Sequence, residues 1–499
     1  MTLRVLGTNS AIYAATTLVQ KGAAFLLMPL YTLYLEPAAF GVIAIVTAVN
    51  GFLTIAFTLG LTGAVTRFYF EYQEQPEQLA EFWGSVLTLV IVMSTLLAGA
   101  LLLIGEHLLR PVLGGVPFWP YVALGVVATF FQPFITTFLS VLQARNQPGR
   151  YALVSLSNFA LMTLLTIAFV VFLGWGVSGA LLATLLAAAV FFCVALFMMR
   201  SELRFSLRWR HLRLALSYSL PTVPHSVASQ TTAMSDRMIL NSYLGTAVAG
   251  LYSVGAMIAM GVEVAAYSVS RAYLPLSMGA LQSRDPVALA ELRAMGSVIV
   301  ATFCLLGAGV GTFGAEVVRL LTAPAFQGAA VVVPLLAFSG VASAIYYVLV
   351  NILFFDRSAI KLLPVCTLSG AVLSVCLSLL LIPVLGLLGA ALGNLLAQTL
   401  VTILVAFVGR RFDPVDWQYA RYLAAFLLSF ALSWWLSALD AGTWVVTMFC
   451  KFCGLAALLP GLGLLLWNRP LILPLAILRL LDRRPAEAAA LFIRPNPAT

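Results

Sequence analysis

The sequence predicts an all-α polytopic membrane protein of about fourteen transmembrane helices. Three observations carry this reading. Only 9% of the 499 residues are charged, against about 25% in a soluble domain. Hydrophobic residues make up 62% of the chain, and mean hydropathy is +1.03. The apolar runs are about 20 residues or longer, which is helix length rather than the ~10-residue alternation of a transmembrane barrel.

The elements follow in order. Met1 to Ser10 holds one Arg, and the apolar stretch behind it is too long for a cleaved signal peptide. It reads as a retained first helix, 8–35. Glu36-Pro37 turns the chain into a second span, 38–66. Spans three to six lie at 83–104, 117–143, 151–173 and 180–199, with Gly174-Trp175-Gly176 between the last two. The seventh and eighth lie at 214–244 and 247–271. Then come 294–315, 329–354, 362–383 and 389–409, with a turn at Pro383 to Gly386. Spans 420–438 and 443–467 complete the set. The tail from Asn468 is polar-leaning, and Leu471–Leu481 with Arg479, Arg483 and Arg484 suits a segment lying along the membrane surface.

The short connections leave no room for a water-soluble catalytic domain. Net charge is +9, but no basic soluble domain exists to bind nucleic acid. The six Cys (193, 304, 366, 376, 450, 453) sit in apolar segments, so neither a disulfide framework nor a zinc site is expected. Cys450 and Cys453 have CxxC spacing, but on a membrane helix, where packing is the simpler role. No cofactor, metal or catalytic residue is predicted. With the N-terminus inside and strict alternation, 22 of the 27 Lys and Arg fall on the cytoplasmic side. Only Arg110 and Arg319 fall outside, and Lys21, Arg237 and Lys451 lie within spans. This asymmetry predicts a multi-pass protein with both termini in the cytoplasm.

An internal repeat organises the chain. Tyr34-Leu-Glu-Pro-Ala-Ala-Phe-Gly41 aligns with Tyr243-Leu-Gly-Thr-Ala-Val-Ala-Gly250 at an offset of 209. Gly176-Val-Ser-Gly-Ala-Leu-Leu-Ala-Thr-Leu-Leu-Ala187 aligns with Gly386-Leu-Leu-Gly-Ala-Ala-Leu-Gly-Asn-Leu-Leu-Ala397 at 210, with seven of twelve positions identical. Both matches fall at equivalent turns. Residues 1–205 and 206–409 therefore read as two pseudo-symmetric six-helix lobes, related by an axis along the membrane normal. Residues 410–470 add two helices outside the repeat, and 471–499 form a cytoplasmic amphipathic or loose tail. Such lobes are typical of transporters that rock about a central cavity.

A charge inside the membrane costs at least ~2.5–3.5 kcal/mol, so each one needs a reason. Lys21 lies near mid-bilayer and is either a cavity cation or a structural partner for a carboxylate or carbonyls. The seventh span reads Ser219-Leu-Pro-Thr-Val-Pro-His225, then Met234-Ser-Asp-Arg-Met238. Pro221 and Pro224 predict a bend, tolerated where a helix lines a cavity. His225 near that bend is either titratable or a hydrogen-bonded structural group. Asp236 and Arg237 point about 100° apart and need not pair with each other. They serve a cavity or lobe interface, or pair with other helices. Glu263, at mid-depth of the eighth span, is either an ion-coupling carboxylate or a salt-bridge partner for Lys21 or another cation. Arg67 and Arg271 end the second and eighth spans, as interfacial anchors or as a cationic mouth. Lys451 is read as snorkelling or packing locally. The candidate cavity cations Lys21, Arg67, Arg237 and Arg271 outnumber Asp236 and Glu263, which suits an anionic substrate such as a phosphate or pyrophosphate.

Gly60-Leu-Thr-Gly-Ala-Val-Thr-Arg-Phe-Tyr-Phe-Glu-Tyr72, Leu142-Gln-Ala-Arg-Asn146, Leu220-Pro221, Asp236-Arg237 and Leu251-Tyr-Ser253 stand in a telling order with the opening segment through Gly41. Over about residues 5–410 the chain resembles the Wzx-type polysaccharide flippases of the multidrug/oligosaccharidyl-lipid/polysaccharide (MOP) exporter superfamily, which also have fourteen spans. The resemblance implies a bacterial inner-membrane flippase for an undecaprenyl-diphosphate-linked oligosaccharide, such as an O-antigen, capsule or exopolysaccharide unit. It implies alternating access of two lobes, with Lys21, Arg67 and Arg237 as cavity cations. Polysaccharide polymerase and chain-length machinery are the expected protein partners. The basic signature of lipid II flippases is not seen in the first helices. A cation-coupled multidrug-type exporter shares the fold, but needs a carboxylate-rich cavity. A glycan polymerase or ligase needs long exterior loops with catalytic groups, and here these loops carry only Glu106, His107 and Arg110, or Glu316 and Arg319.

Overall fold

The computed structural model describes residues 12–13, 15–20, 22, 25, 27–200, 207–356, 358–412, 415–469 and 472–473. Lys21, residues 8–11, 14, 23, 24 and 26 of the first predicted span, residues 201–206 of the basic link and almost all of the tail lie outside them. The described residues are helical, with no strand among them. The helices are α1 Met28–Tyr34, α2 Pro37–Thr58, α3 Leu61–Tyr72, α4 Pro76–Leu113, α5 Ala123–Ala144, α6 Pro148–Thr166, α7 Gly176–Met199, α8 Trp209–Ser219 and α9 Val223–Leu244. They continue with α10 Thr246–Ser283, α11 Pro286–Thr312, α12 Gly314–Leu321, α13 Val333–Leu349, α14 Asn351–Phe355, α15 Leu363–Leu385, α16 Leu387–Gly409, α17 Tyr419–Ser437 and α18 Trp444–Trp467.

Twelve helical stretches among the described residues are long and apolar enough to cross a membrane. They match the second to sixth and the eighth to fourteenth predicted spans. The seventh forms as α9 but is too polar to be among the twelve. His225, Gln230, Asp236, Arg237 and Asn241 lower its hydropathy most.

Several expected boundaries shift. The third span, expected at 83–104, is the 38-residue α4. At 1.5 Å per residue it measures about 57 Å, nearly twice a ~30 Å hydrocarbon core. Hydropathy marks only the membrane portion, while Glu77, Glu81, Glu106 and Arg110 ride on its ends. The second span is not one helix. Leu59 (φ 48°) and Gly60 (φ 71°) both adopt left-handed conformations and separate α2 from α3. Gly makes that conformation inexpensive, whereas Leu does not.

The chain divides into two compact units, Met1–Ser253 and Val254–Thr499. In the first, α2 packs against α5, α7 and α9. One core gathers Val46, Val49, Phe57 and Val126, and another gathers Phe82, Trp83, Phe134 and Phe138. In the second, α13 is the centre, packed by α11, α16 and α17. The division falls inside α10, later than the 205/206 boundary implied by the repeat. The reason is that α9 packs on α2 and α4. Contacts and the sequence repeat divide the chain at different points.

Both repeat motifs mark close helix packing. Gly41 of α2 and Gly250 of α10 meet reciprocally. A Cβ on Gly41 would lie 1.8 Å from the Thr246 carbonyl oxygen, and one on Gly250 would lie 2.0 Å from that of Pro37. Pro37 and Thr246 are themselves equivalent in the repeat. Within a membrane, helices associate through close packing rather than apolar burial, and small residues permit it. Gly179 and Gly389, equivalent in the second motif, likewise press on Phe169 and on the Leu381 backbone of the preceding helices.

Candidate functional site

The charged and polar side chains form two separate constellations, one in each unit. The first lies on α9 and the start of α10. Asp236 is 2% exposed. Its Oδ1 accepts the Arg237 backbone N–H at 2.8 Å, and its Oδ2 accepts the Tyr252 hydroxyl. The Arg237 guanidinium turns back along the helix and donates to the Ala233 carbonyl at 2.6 Å. It lies 3.8 Å from Asp236 Oδ1 and 5.7 Å from the Tyr252 ring centroid. Asp236 and Arg237, which their 100° separation did not oblige to pair, share one cluster. The long Arg side chain spans the difference. A buried carboxylate needs such partners to remain charged.

Below this cluster two helix breaks touch. A Cβ on Gly60 would sit 2.9 Å from Thr222 Oγ1 and 3.3 Å from the Ser219 carbonyl oxygen. Thr222 belongs to the 3-10 turn Leu220–Thr222 that separates α8 from α9. Pro221 lies in that turn and Pro224 in the first turn of α9. His225, next to Pro224, is exposed. The expected bend is thus a helix break, paired with a second break that the sequence reading did not include.

Beyond the breaks, α8 docks on α4. Arg208 Nη2 pairs with Glu81 Oε1 at 2.6 Å. His211 is 7% exposed, with its ring edge-on to Tyr72 and Phe82 at 6.1 and 5.9 Å. Burial pushes its pKa below the usual 6.5. Glu81 opposes this shift, and Arg208 and Arg210 add to it. Arg67, on α3, is 55% exposed and 4.0 Å from Glu71.

The second constellation lies on α10 and α13. Glu263, Tyr267 and Arg271 are exposed and recur every four residues, so they share one face of α10. Arg271 Nε donates to the Tyr267 hydroxyl at 3.1 Å, and Nη2 donates to the same oxygen. The guanidinium also lies 4.9 Å from the Tyr267 ring centroid. Tyr347 of α13 packs edge-on to Tyr267, with centroids 6.2 Å apart. Glu263 and the Tyr347 hydroxyl interact electrostatically. Among the described residues Arg271 has no ion-pair partner.

Lys451 does not snorkel. It is 2% exposed, donates to the Thr312 carbonyl at 3.2 Å and pairs with Glu316 Oε1 at 2.5 Å. This pair, with the Thr312 contact, ties α18 to α11 and α12, and it gives the buried Lys451 a counter-charge. Among the described residues no cluster of His, Cys, Asp and Glu could hold a metal.

Sequence reasoning assigned no site role to Tyr252, Tyr267, Tyr347 or His211. The spacing of Glu263, Tyr267 and Arg271 was a readable signal. Tyr252 and Tyr347 reach their partners from other helices, for which no spacing rule exists.

Comparison with known proteins gives three findings. A family model described as polysaccharide biosynthesis protein matches residues 6–279. A protein of the Lsg locus of Haemophilus influenzae is 24% identical over 285 residues, covering 56% of this chain and 67% of that protein. Two solved structures share the fold. The lipid II flippase MurJ in an inward closed conformation superposes with a TM-score of 0.69 at 14% identity, over 90% of this chain and 98% of that one. An inward-facing multidrug resistance MATE family transporter of the MOP superfamily gives 0.62 at 17% identity, over 77% of this chain and 93% of that one.

Proposed function

This chain belongs to the polysaccharide biosynthesis protein family, and from that premise we propose that it is a flippase moving an undecaprenyl-diphosphate-linked oligosaccharide from the cytoplasmic to the periplasmic leaflet of the bacterial inner membrane. The observation that carries this reading is the exposed face of α10. Glu263 and Arg271 are exposed on a helix long and apolar enough to span the bilayer. An exposed charge at mid-depth of a span, as Glu263 is in the predicted eighth span, borders a water-filled path rather than lipid. At the cytoplasmic end of that span Arg271, which has no ion-pair partner among the described residues, supplies a cation suited to a diphosphate.

The path opens to one side at a time. The reciprocal contact of Gly41 and Gly250 joins repeat-equivalent helices at the end that the Lys/Arg asymmetry puts outside. It is small enough to part and re-form. The touching breaks at Gly60 and Thr222 let α3 and α8 move against α2 and α9. The two lobes are residues 1–205 and 206–409, and both termini lie in the cytoplasm. The membrane potential assists, since outward movement of negative charge gains about 2.3 kcal/mol per charge per 100 mV. The glycan and diphosphate cross in the polar path while the polyprenyl tail stays in lipid. Polymerase and chain-length machinery take over the delivered unit.

The test is complementation of a deletion strain by the full chain and by Arg271→Ala. We expect surface polysaccharide to return with the wild-type chain. It should stay at least ten-fold lower with the variant at equal protein level. Intact surface glycan in the deletion strain, with raised drug sensitivity, would instead select a cation-coupled small-molecule exporter, for which Glu263 is the supporting carboxylate.

A further inference from the structure

The α10 face carries more than a cation. Its three exposed side chains run Glu263, Tyr267, Arg271, one turn apart, over about 12 Å of helix. Two features fix the strip. Arg271 spends Nε and one Nη2 hydrogen on the Tyr267 hydroxyl, which leaves the Nη1–Nη2 end of the fork open for a bidentate oxyanion. At the other end, α13 presses on the α10 backbone: a Cβ on Gly340 would lie 3.2 Å from the Glu263 amide nitrogen. Tyr347 then stands beside Tyr267 at 65° between the ring planes. The strip thus presents, in order, a carboxylate, a pair of aromatic rings and an oriented guanidinium.

Each group has one natural complement. A guanidinium with a free fork takes a phosphate. An aromatic face takes the C–H surface of a sugar ring. A carboxylate has only acceptors to offer and takes sugar hydroxyls. We propose that Glu263, Tyr267, Tyr347 and Arg271 form a glycosyl-phosphate subsite, which reads the sugar attached directly to the phosphate. Arg271 holds the phosphate, the tyrosine pair holds the ring, and Glu263 accepts its hydroxyls. Tyr267 is also a positioning residue, because its hydroxyl orients Arg271. The subsite rests on the transport reading above, and makes the first sugar, rather than the whole glycan, the point of selection.

The experiment uses the full chain in proteoliposomes, with the lipid-linked glycan extracted from the same strain as the probe. Initial translocation rate is measured against probe concentration. Tyr267→Phe keeps the ring and loses the hydroxyl. It should raise the half-saturating concentration about ten-fold, with maximal rate within two-fold of wild type. Tyr347→Leu should do the same, and Tyr347→Trp should recover most of the loss. Glu263→Gln, which still accepts a hydroxyl, should raise it only about three-fold. Unchanged saturation in Tyr267→Phe and Tyr347→Leu would overturn the subsite. So would abolition of transport by Glu263→Gln, which would make that carboxylate an ion coupler. No translocation by the wild-type chain would defeat the transport reading itself, and the subsite with it.

Discussion

The two polar constellations use the same residue types to opposite ends. In the first unit Asp236, Arg237 and Tyr252 satisfy one another, and Asp236 is buried. In the second, Glu263, Tyr267 and Arg271 face outward, and Arg271 has no ion-pair partner among the described residues. The difference teaches that a charge within a membrane span has two possible uses. A compensated, buried charge holds helices together. An exposed charge that lacks a carboxylate partner remains available to something that arrives from outside. Charge counting alone gives Arg237 and Arg271 equal weight, and the geometry separates them.

The largest expected effect breaks the first cluster. Asp236→Ala leaves the Tyr252 hydroxyl without its acceptor and the Arg237 guanidinium without its counter-ion. Breaking a buried pair from one side costs about 3–5 kcal/mol. Thermal unfolding in detergent should show this loss, whereas Arg271→Ala should unfold like wild type. Equal stability of the two variants would erase the distinction between the constellations.

Next comes the helix contact in the first unit. Gly41→Val puts side-chain atoms where the Thr246 carbonyl oxygen already lies, so α2 and α10 must separate. Overpacking of this kind costs about 1–3 kcal/mol. Surface polysaccharide should fall sharply in the complementation assay, and Gly250→Val should behave alike because the contact is reciprocal. A normal surface glycan level in either variant would remove the contact from the transport cycle.

A smaller effect concerns α8. Burial favours neutral His211, so its folded pKa lies below the unfolded value of 6.5. The stabilisation of the docked helix is therefore complete above pH 6.5 and is lost as pH falls through the depressed folded value. Hydrogen exchange of α8 should accelerate on acidification, and His211→Phe should flatten that dependence. An identical pH profile in the variant would remove His211 as its cause. The smallest effect is expected for Arg67→Gln, since an exposed ion pair with Glu71 contributes only ~0–1 kcal/mol. Thermal unfolding should barely register it.

Much of the fold was legible because hydropathy reports where lipid meets helix. It located twelve helices now seen as apolar spans, and Pro37 and Gly386 marked turns that are present. Helix ends outside the membrane, as in α4, carry no hydropathy signal. The break at Leu59 and Gly60 was hidden because a single Gly in an apolar run is tolerated in a continuous helix. The repeat was legible at Gly41 and Gly250, but their mutual contact was not, since sequence identity says nothing of distance. In the candidate site, Glu263 and Arg271 stood out by charge. Tyr347 did not, because a tyrosine in an apolar helix ordinarily packs. Lys451 stood out too, yet its partner Glu316 lies on another helix, which no local pattern discloses.

The central claim is that the exposed face of α10 handles a lipid-linked glycan. The most direct measurement is the rate at which that glycan crosses proteoliposomes containing the wild-type chain or Arg271→Ala, at matched protein content. The account predicts rapid transfer by the wild-type chain and at least ten-fold slower transfer by the variant. Equal rates for the two, or a wild-type rate no faster than protein-free vesicles, would contradict it.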